Sequence, residues 1–348
     1  MKIAYILPSL AKMGPTLVAY DLATSMLQRG HEVCVYYFDE LRENTVKFPC
    51  PTLRISFRHR FDMEKFDVVH SHMLRPDLYI WLYRPCRKNT HTRFITTIHS
   101  FVMQDLTSMY NRLVAFIFGN LWMLLLHCFD MRVVLSNEAK HYYLRWFRSE
   151  QLTCVYNTRT LNCEKKLTED ERKELMDFRG DMPLLGVNAL LSPIKGIDLI
   201  IRAMSFIDNV RLWVVGNGKS LIDLQTLAKQ LGVEDRIHFA GYKEDAFRYL
   251  PFYDLYMMTS RSEGFPLAML EAVIMKRNIV CSDIGVFNEI FTSDEVTFFH
   301  IEDVQSLVNA IKIALLHDKS EAAYQHYLQS YSPKTFADGY EQIYYGYK

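Results

Sequence analysis

The 348-residue sequence lacks an uninterrupted apolar run long enough to span a membrane, a C-x-x-C pair, a histidine at zinc-ligand spacing and a D-x-D triplet. A spanning helix needs about 20 consecutive apolar residues. The longest candidate, Leu113 to Phe129, is broken by Gly119, Asn120 and His127. Two readings of it stay open: a buried helix, or a helix in a bilayer interface, where Trp122, Phe116, Phe118 and Arg112 would suit the boundary. The seven cysteines (Cys34, Cys50, Cys86, Cys128, Cys154, Cys163 and Cys281) are odd in number and dispersed. That usage fits a reducing cytoplasm and excludes a disulfide scaffold. At the N-terminus, Pro8 interrupts Ile3 to Leu7 before a signal-peptide core could form, so the segment reads as a first strand.

Net charge is also lacking, with 40 Lys+Arg against 40 Asp+Glu. The balance hides an asymmetry. Residues 1–166 carry 22 Lys+Arg against 14 Asp+Glu and the remainder 18 against 26, so the two parts stand at +8 and −8. A basic first half suits an anionic membrane surface or an anionic acceptor, and it equally suits a solvated face. Nothing in the pattern calls for nucleic acid.

What is present is apolar and periodic. With 49% apolar and 23% charged residues, the chain is globular, and its length favours two domains. Lys2–Leu7, Glu32–Phe38, Val68–His72, Phe94–His99 and Arg132–Leu135 are β-rich and apolar, as buried parallel strands are. Helical patterns alternate with them, including Thr16–Gln28, stopped at Gly30, and Asn137–Phe147, capped by Ser136. After the polar stretch 158–181 the alternation restarts at Leu184–Ala189 and continues through Arg211–Val215, Ile237–Ala240, Leu255–Met258 and Ile279–Cys281. It ends in helices from Val304 onward. The expectation is an α/β protein of two Rossmann-like, doubly wound domains facing across a cleft: 1–157, a connection over 158–181, 182–330, and a C-terminal helix within 331–348 that returns to the first domain. Ligands of such sheets lie beyond the carboxyl ends of the strands.

Two loops could carry chemistry. Val214-Val215-Gly216-Asn217-Gly218 is a strand entering a Gly-x-Gly turn, but position 221 is Leu, so the dinucleotide fingerprint is incomplete. A plain tight turn and a phosphate- or base-facing loop both remain open. Ser260-Arg261-Ser262-Glu263-Gly264-Phe265-Pro266-Leu267 follows a strand and opens a helix holding Glu271. Gly264 permits close backbone approach, Pro266 suits a first helical turn, and the N–H groups beyond it suit an anion. Glu263 and Glu271 could grip sugar hydroxyls with one carboxylate and ribose hydroxyls with the other, or be two ordinary exposed glutamates, and spacing alone leaves both open.

At this point the sequence resembles the GT-B retaining glycosyltransferases of family four, the glycosyl transferases group 1. Glu263 and Glu271 in S-x-x-EGFPLAMLEA look like that family's E-x7-E signature. Gly14 with Arg29-Gly30-His31-Glu32-Val33, Asp67-Val68-Val69-His70-Ser71-His72, Thr97-Ile98-His99, Val134-Leu135-Ser136, Pro193-Ile194-Lys195-Gly196, Gly216-Asn217-Gly218, Phe239-Ala240-Gly241 and Gly285 with Glu289 follow the family's order. The resemblance implies a nucleotide-sugar donor, such as a UDP- or GDP-sugar, as substrate. It also implies a glycan or lipid-linked glycan acceptor, no cofactor and no metal. By the same resemblance Glu271 binds the ribose and Glu263 the transferred sugar. Lys195 balances the diphosphate with help from the backbone of Gly264, Phe265, Pro266 and Leu267. The base rests near Gly241-Tyr242-Lys243 with Gly216, His99 lies beside the donor sugar, and Gly14 belongs to the glycine loop. His70 and His72 read as structural.

Departures from the pattern are local. Leu190 stands where an arginine is common, which leaves Lys219, Arg261 or another residue to supply that charge, and Pro15 replaces a glycine N–H. The leading expectation is a cytoplasmic hexosyltransferase of bacterial surface polysaccharide assembly, peripheral on the inner face of the membrane. A catalytically weak sugar-binding or partner subunit is the alternative. A Rossmann oxidoreductase is disfavoured, because the first strand runs into Pro8-Ser9-Leu10 and not into G-x-G-x-x-G.

Overall fold

The computed structural model describes residues 1–41, 44–85, 91–109 and 111–346, and Cys86 lies outside them. The chain forms two compact units, residues 1–160 with 331–348 and residues 161–330.

In the first unit the order is β1 (Lys2–Ser9), α1 (Gly14–Gln28), β2 (Glu32–Asp39), β3 (Thr52–Arg54), β4 (Val68–His72), α2 (Leu74–Tyr83), β5 (Arg93–Ile98), α3 (Val102–Met109), α4 (Arg112–Leu126), β6 (Met131–Val134), α5 (Asn137–Tyr143) and β7 (Leu152–Cys154). All seven strands are parallel, in the order β3-β2-β1-β4-β5-β6-β7. Apolar runs such as Ile3 to Leu7 are fully buried because helices cover both faces of such a sheet. Pro15 sits in the first turn of α1, where a missing N–H costs nothing, and Gly30, at φ +82°, follows its end. The Ser136 hydroxyl accepts the Ala139 N–H at 3.0 Å and caps α5. That helix stops at Tyr143, short of the expected Phe147, because Trp146 turns its N–H back to the Tyr143 carbonyl.

The second unit runs α6 (Glu169–Arg179), β8 (Leu184–Asn188), α7 (Ile197–Met204), β9 (Arg211–Val215), α8 (Leu221–Gln230), β10 (Ile237–Gly241), β11 (Leu255–Met258), α9 (Leu267–Ile274), β12 (Asn278–Ser282), α10 (Gly285–Ile290), β13 (Thr297–Phe299), α11 (Val304–Leu316) and α12 (Ser320–Ser330). Its six parallel strands lie in the order β10-β9-β8-β11-β12-β13. A capping box between Thr168 and Glu171 starts α6, and Asp303 caps α11. The last helix, α13 (Pro333–Tyr345), is capped by Ser332 and belongs to the first unit.

Each unit has its own core. Ile6, Val69, Tyr79, Phe94 and Phe129 anchor one, and Ile200, Val214, Met257 and Ile311 the other. The reading of Leu113–Phe129 as a buried helix is corrected. Within α4 only Ala115, Gly119, Met123, Leu125 and Leu126 are buried, while Leu113, Phe116, Ile117, Phe118, Leu121 and Leu124 are exposed. The helix covers the sheet with one face only, and the run of Leu and Phe continues around the other.

Candidate active site

The strand orders fix where ligands can sit. From β8 the chain winds outward through β9 and β10, then returns to build β11, β12 and β13 on the other flank. A crevice therefore opens at the carboxyl ends of β8 and β11, the switch point of the sheet.

Three loops leave this edge and are bonded to one another. After β8, Pro193–Lys195 makes a single helical turn closed by Gly196 at φ +62°. A Cβ on Gly196 would lie 2.0 Å from the Thr259 carbonyl oxygen, so only glycine lets the β8 and β11 loops touch. The Thr259 hydroxyl donates to the Lys195 carbonyl at 3.0 Å, and the Arg261 N–H donates to the Ile194 carbonyl at 2.7 Å. The β9 turn is held likewise. The Gly216 N–H donates to the Gly241 carbonyl at 2.8 Å, and a Cβ on Gly216 would meet the Ala189 carbonyl oxygen at 1.8 Å. Gly216, Gly241 and the exposed Tyr242 thus border the same edge as Lys195.

At its centre, Lys195 Nζ donates to Glu263 Oε1 at 2.6 Å, and the Ser260 hydroxyl donates to the same oxygen at 2.7 Å. Ser260 is locked in turn, because its carbonyl accepts the Ser282 hydroxyl at 2.6 Å. Burial and the charges of Glu271 and Glu263 hold the Tyr256 phenol well above its ordinary value, so both carboxylates lie near one buried ring. Glu271 is half-buried on α9. In the loop before α9 the Leu267 N–H donates to the Phe265 carbonyl at 3.1 Å, and Pro266 has no N–H. Neither of these two amides is presented outward, and Gly264 precedes them.

Arg261, considered above as a substitute cation at Leu190, is fully engaged. Its guanidinium makes a bidentate pair with Asp198 at 2.9 Å for both bonds and also binds Glu302 and the Pro193 carbonyl. Three acceptor groups hold it as a brace of the β8 loop. Leu190 is 67% exposed, and Lys219 stands exposed next to the Gly216–Gly218 turn.

Gly14 and His99 lie in the first unit, Gly14 exposed at the start of α1 and His99 half-buried just past β5. His72 Nδ1 and His99 Nε2 are 2.8 Å apart. His70, two residues earlier on β4, bonds the Tyr344 hydroxyl at 2.8 Å and the Thr97 hydroxyl at 2.9 Å. Burial lowers the pKa of His70 and His99 to about 3 and that of His72 well below its ordinary value, so all three rings are neutral at pH 7. Sequence reasoning missed Ser260, Tyr256 and the His72 contact. For the α13 contribution a signal existed, since Tyr340 and Tyr344 stand four apart on one helical face.

Two doubly wound parallel-sheet units of this kind define the GT-B class of glycosyltransferases. The model "Glycosyl transferases group 1" matches residues 169–332, and "Glycosyltransferase Family 4" matches residues 14–159. The chain belongs to the group 1 glycosyl transferases. It is 30% identical to the O-antigen biosynthesis glycosyltransferase WclY of Escherichia coli over 99% of this chain and 98% of that one. Among solved structures it is similar to Anabaena HepE in complex with UDP and glucose (TM-score 0.79, 16% identity, 99% of this chain and 100% of that one). It is also similar to WaaG, a glycosyltransferase involved in lipopolysaccharide biosynthesis (TM-score 0.69, 14% identity, 99% and 100%). Among the described residues no helix is long and apolar enough to cross a membrane.

Proposed function

We propose that this glycosyltransferase moves one hexose, with retention of configuration, from a nucleotide-sugar donor to a glycan or lipid-linked glycan acceptor in surface polysaccharide assembly. The observation that carries the reading is the Lys195–Glu263 contact of 2.6 Å at the carboxyl ends of β8 and β11. It sets one cation and one carboxylate side by side, as a donor needs where its diphosphate meets its sugar. The complexes of HepE with UDP and UDP-glucose support a uridine nucleotide as donor, and the O-antigen role of WclY supports the acceptor class.

In this reading Lys195 turns from Glu263 to the diphosphate. Negative charge grows on the leaving phosphate oxygen as the glycosidic bond breaks, so a preorganised cation lowers the barrier more than a nucleophile would. The acceptor hydroxyl attacks from the same face, and the departing phosphate oxygen takes its proton. Glu263 holds hydroxyls of the transferred sugar, Glu271 the ribose, and Gly241-Tyr242-Lys243 the base. His99 donates to the sugar and Gly14 borders it. No resident metal is needed, and the enzyme works in the cytoplasm at the inner face of the membrane.

Incubation with UDP-glucose and an oligosaccharide acceptor, followed by NMR of the product's anomeric proton, tests this. An α-donor should give an α-linkage, and a β-linkage would overturn retention. A specific observation favours the second reading, a sugar-binding subunit of low activity: the Arg261 guanidinium is engaged by Asp198 and Glu302 and position 190 is an apolar leucine, so neither offers Lys195 a second cation for the diphosphate. Donor binding without donor hydrolysis would select that reading.

A further inference from the structure

The exposed side of α4 is apolar apart from Asn120, whose amide donates to the Phe116 carbonyl at 2.7 Å, with Leu113 69% and Leu124 62% exposed. The helix contains no Asp or Glu, and its one charge is Arg112 at the first position. Contiguous apolar faces of this kind mark interaction sites. α2 packs beside α4 and adds the exposed Trp81 and Leu82.

The flanks are basic. On one side Tyr79 of α2 donates to the His59 carbonyl at 2.9 Å and accepts the Phe61 N–H at 3.3 Å, and Tyr83 binds the Phe57 carbonyl. These bonds hold the loop bearing the exposed Arg58 and Arg60 against α2. Arg54, the third arginine expected to act there, is paired with Glu40 at 3.1 Å, and Lys65 lies 3.8 Å from Asp62, so both are locally balanced. On the other side the His127 ring, which ends α4, packs on Phe147 at 5.0 Å, next to the exposed Arg145 and Arg148. Asp62, Glu64 and Glu150 are the exposed carboxylates nearest these arginines in sequence.

We infer that this face, α4 with the end of α2 and the arginines on both flanks, is a docking surface for an anionic lipid bilayer. α4 lies in the plane of the interface with its apolar side at the acyl boundary and the arginines at the headgroups. The inference rests on the inner-face reading above and gives it a location and a balance of forces: apolar insertion leads, and charge assists. A second copy of the chain fits less well, because a two-fold contact through α4 would set basic flank against basic flank.

Flotation of the full chain with phosphatidylcholine vesicles, with and without phosphatidylglycerol, tests the surface. The protein should float with the anionic vesicles and keep much of that binding at high salt. Phe116→Gln/Ile117→Gln/Leu124→Gln should lower it by about tenfold or more, and Arg58→Ser/Arg60→Ser should reduce only the salt-sensitive part. Both variants should keep their thermal midpoint and donor hydrolysis, because these side chains are exposed and lie outside the donor residues. No flotation of the parent protein, or equal flotation of the triple variant, would overturn the inference. So would a dimer that the triple variant dissolves while the parent ignores vesicles. Absence of donor hydrolysis in a protein that floats would count against the transferase reading alone.

Discussion

His72 Nδ1 lies 2.8 Å from His99 Nε2, and the Nε2 of His72 is buried without a partner. One neutral ring must donate to the other. If His99 donated, His72 would carry its own proton on the orphaned Nε2, and a buried unpaired N–H is rarer and costlier than an unpaired lone pair. The pair therefore settles with His72 donating from Nδ1. That leaves His99 protonated on Nδ1, a neutral N–H available to a sugar hydroxyl. Nitrogen-15 shifts should show the Nδ1–H tautomer for His99. His72→Phe should free the tautomer and lower kcat/KM roughly three- to tenfold, the worth of one neutral hydrogen bond of about 0.5–1.5 kcal/mol. His72→Asn, whose amide can donate from nearly the same place, should restore most of it. An Nε2–H tautomer in the parent protein would refute the argument.

The same buried rings set an acid limit on stability. His70 and His99 titrate near 3 when folded against an ordinary 6.5, and His72 lies well below it. Their folded pKa values are depressed, so the unfolded chain binds more protons below about 6.5 and stability falls as pH falls. Each ring contributes a slope approaching about 1.4 kcal/mol per pH unit. Asp21 and Asp77, pushed up to about 6 by burial, act with the opposite sign below that value, because the folded state then keeps protons that the unfolded state has lost. Between pH 6 and 7 the three histidines outweigh these two carboxyls, which are at most half protonated there. Urea unfolding at pH 7.5, 6.5 and 6.0 should show the decline, and His70→Asn should flatten it. A pH-independent midpoint across that interval would contradict the burial of these rings.

In the proposed binding mode Glu263 competes with the donor diphosphate for Lys195. Their contact is partly buried, with side chains 11% and 26% exposed. A nucleoside diphosphate must draw Lys195 away from this carboxylate. Glu263→Gln should therefore bind the free nucleoside diphosphate more tightly, by up to about 1 kcal/mol or roughly fivefold, while turnover drops. Lys195→Ala should weaken both, turnover more, because the charge it balances grows towards the transition state. The barrier should rise by about 2.7–4 kcal/mol, by analogy with removing one oxyanion donor. Calorimetry with UDP beside initial rates separates the two effects. Weaker UDP binding by Glu263→Gln would show that the pair cooperates in holding the diphosphate.

How far the sequence could be read depended on where the information lay along the chain. Lys2–Leu7 and Leu255–Met258 were legible as strands because both faces of a buried parallel strand are apolar. β3, β7 and β13 were missed because three residues cannot show a period. The run of Leu and Phe in α4 told of burial equally on two sides, and only packing shows that one side is bare. Arg261 looked available as a diphosphate cation because its partners, Asp198 and Glu302, lie 63 and 41 residues away. The His72–His99 contact depends on register: His72 pairs with Thr97 across β4 and β5, and this carries His99 to its neighbour's ring.

Glu271 offers a second test of donor placement beside Glu263. It sits on α9, the helix that follows the Glu263 loop, near enough for its charge to act on Tyr256. A carboxylate gripping two ribose hydroxyls would contribute about 1.5–3 kcal/mol for each charge-assisted bond, an upper bound that water partly offsets. Glu271→Ala should weaken UDP binding by at least about tenfold, and should weaken uridine binding by a similar factor, because the ribose is common to both. Lys195→Ala should spare uridine and affect only the diphosphate. Both titrations should be insensitive to EDTA if, as proposed, lysine and not a metal ion balances the phosphates. Turnover lost in EDTA and restored by manganese would overturn the metal-free reading. Uridine bound equally by Glu271→Ala and the parent protein would remove Glu271 from the ribose, leaving the Lys195–Glu263 assignment to stand on its own measurements.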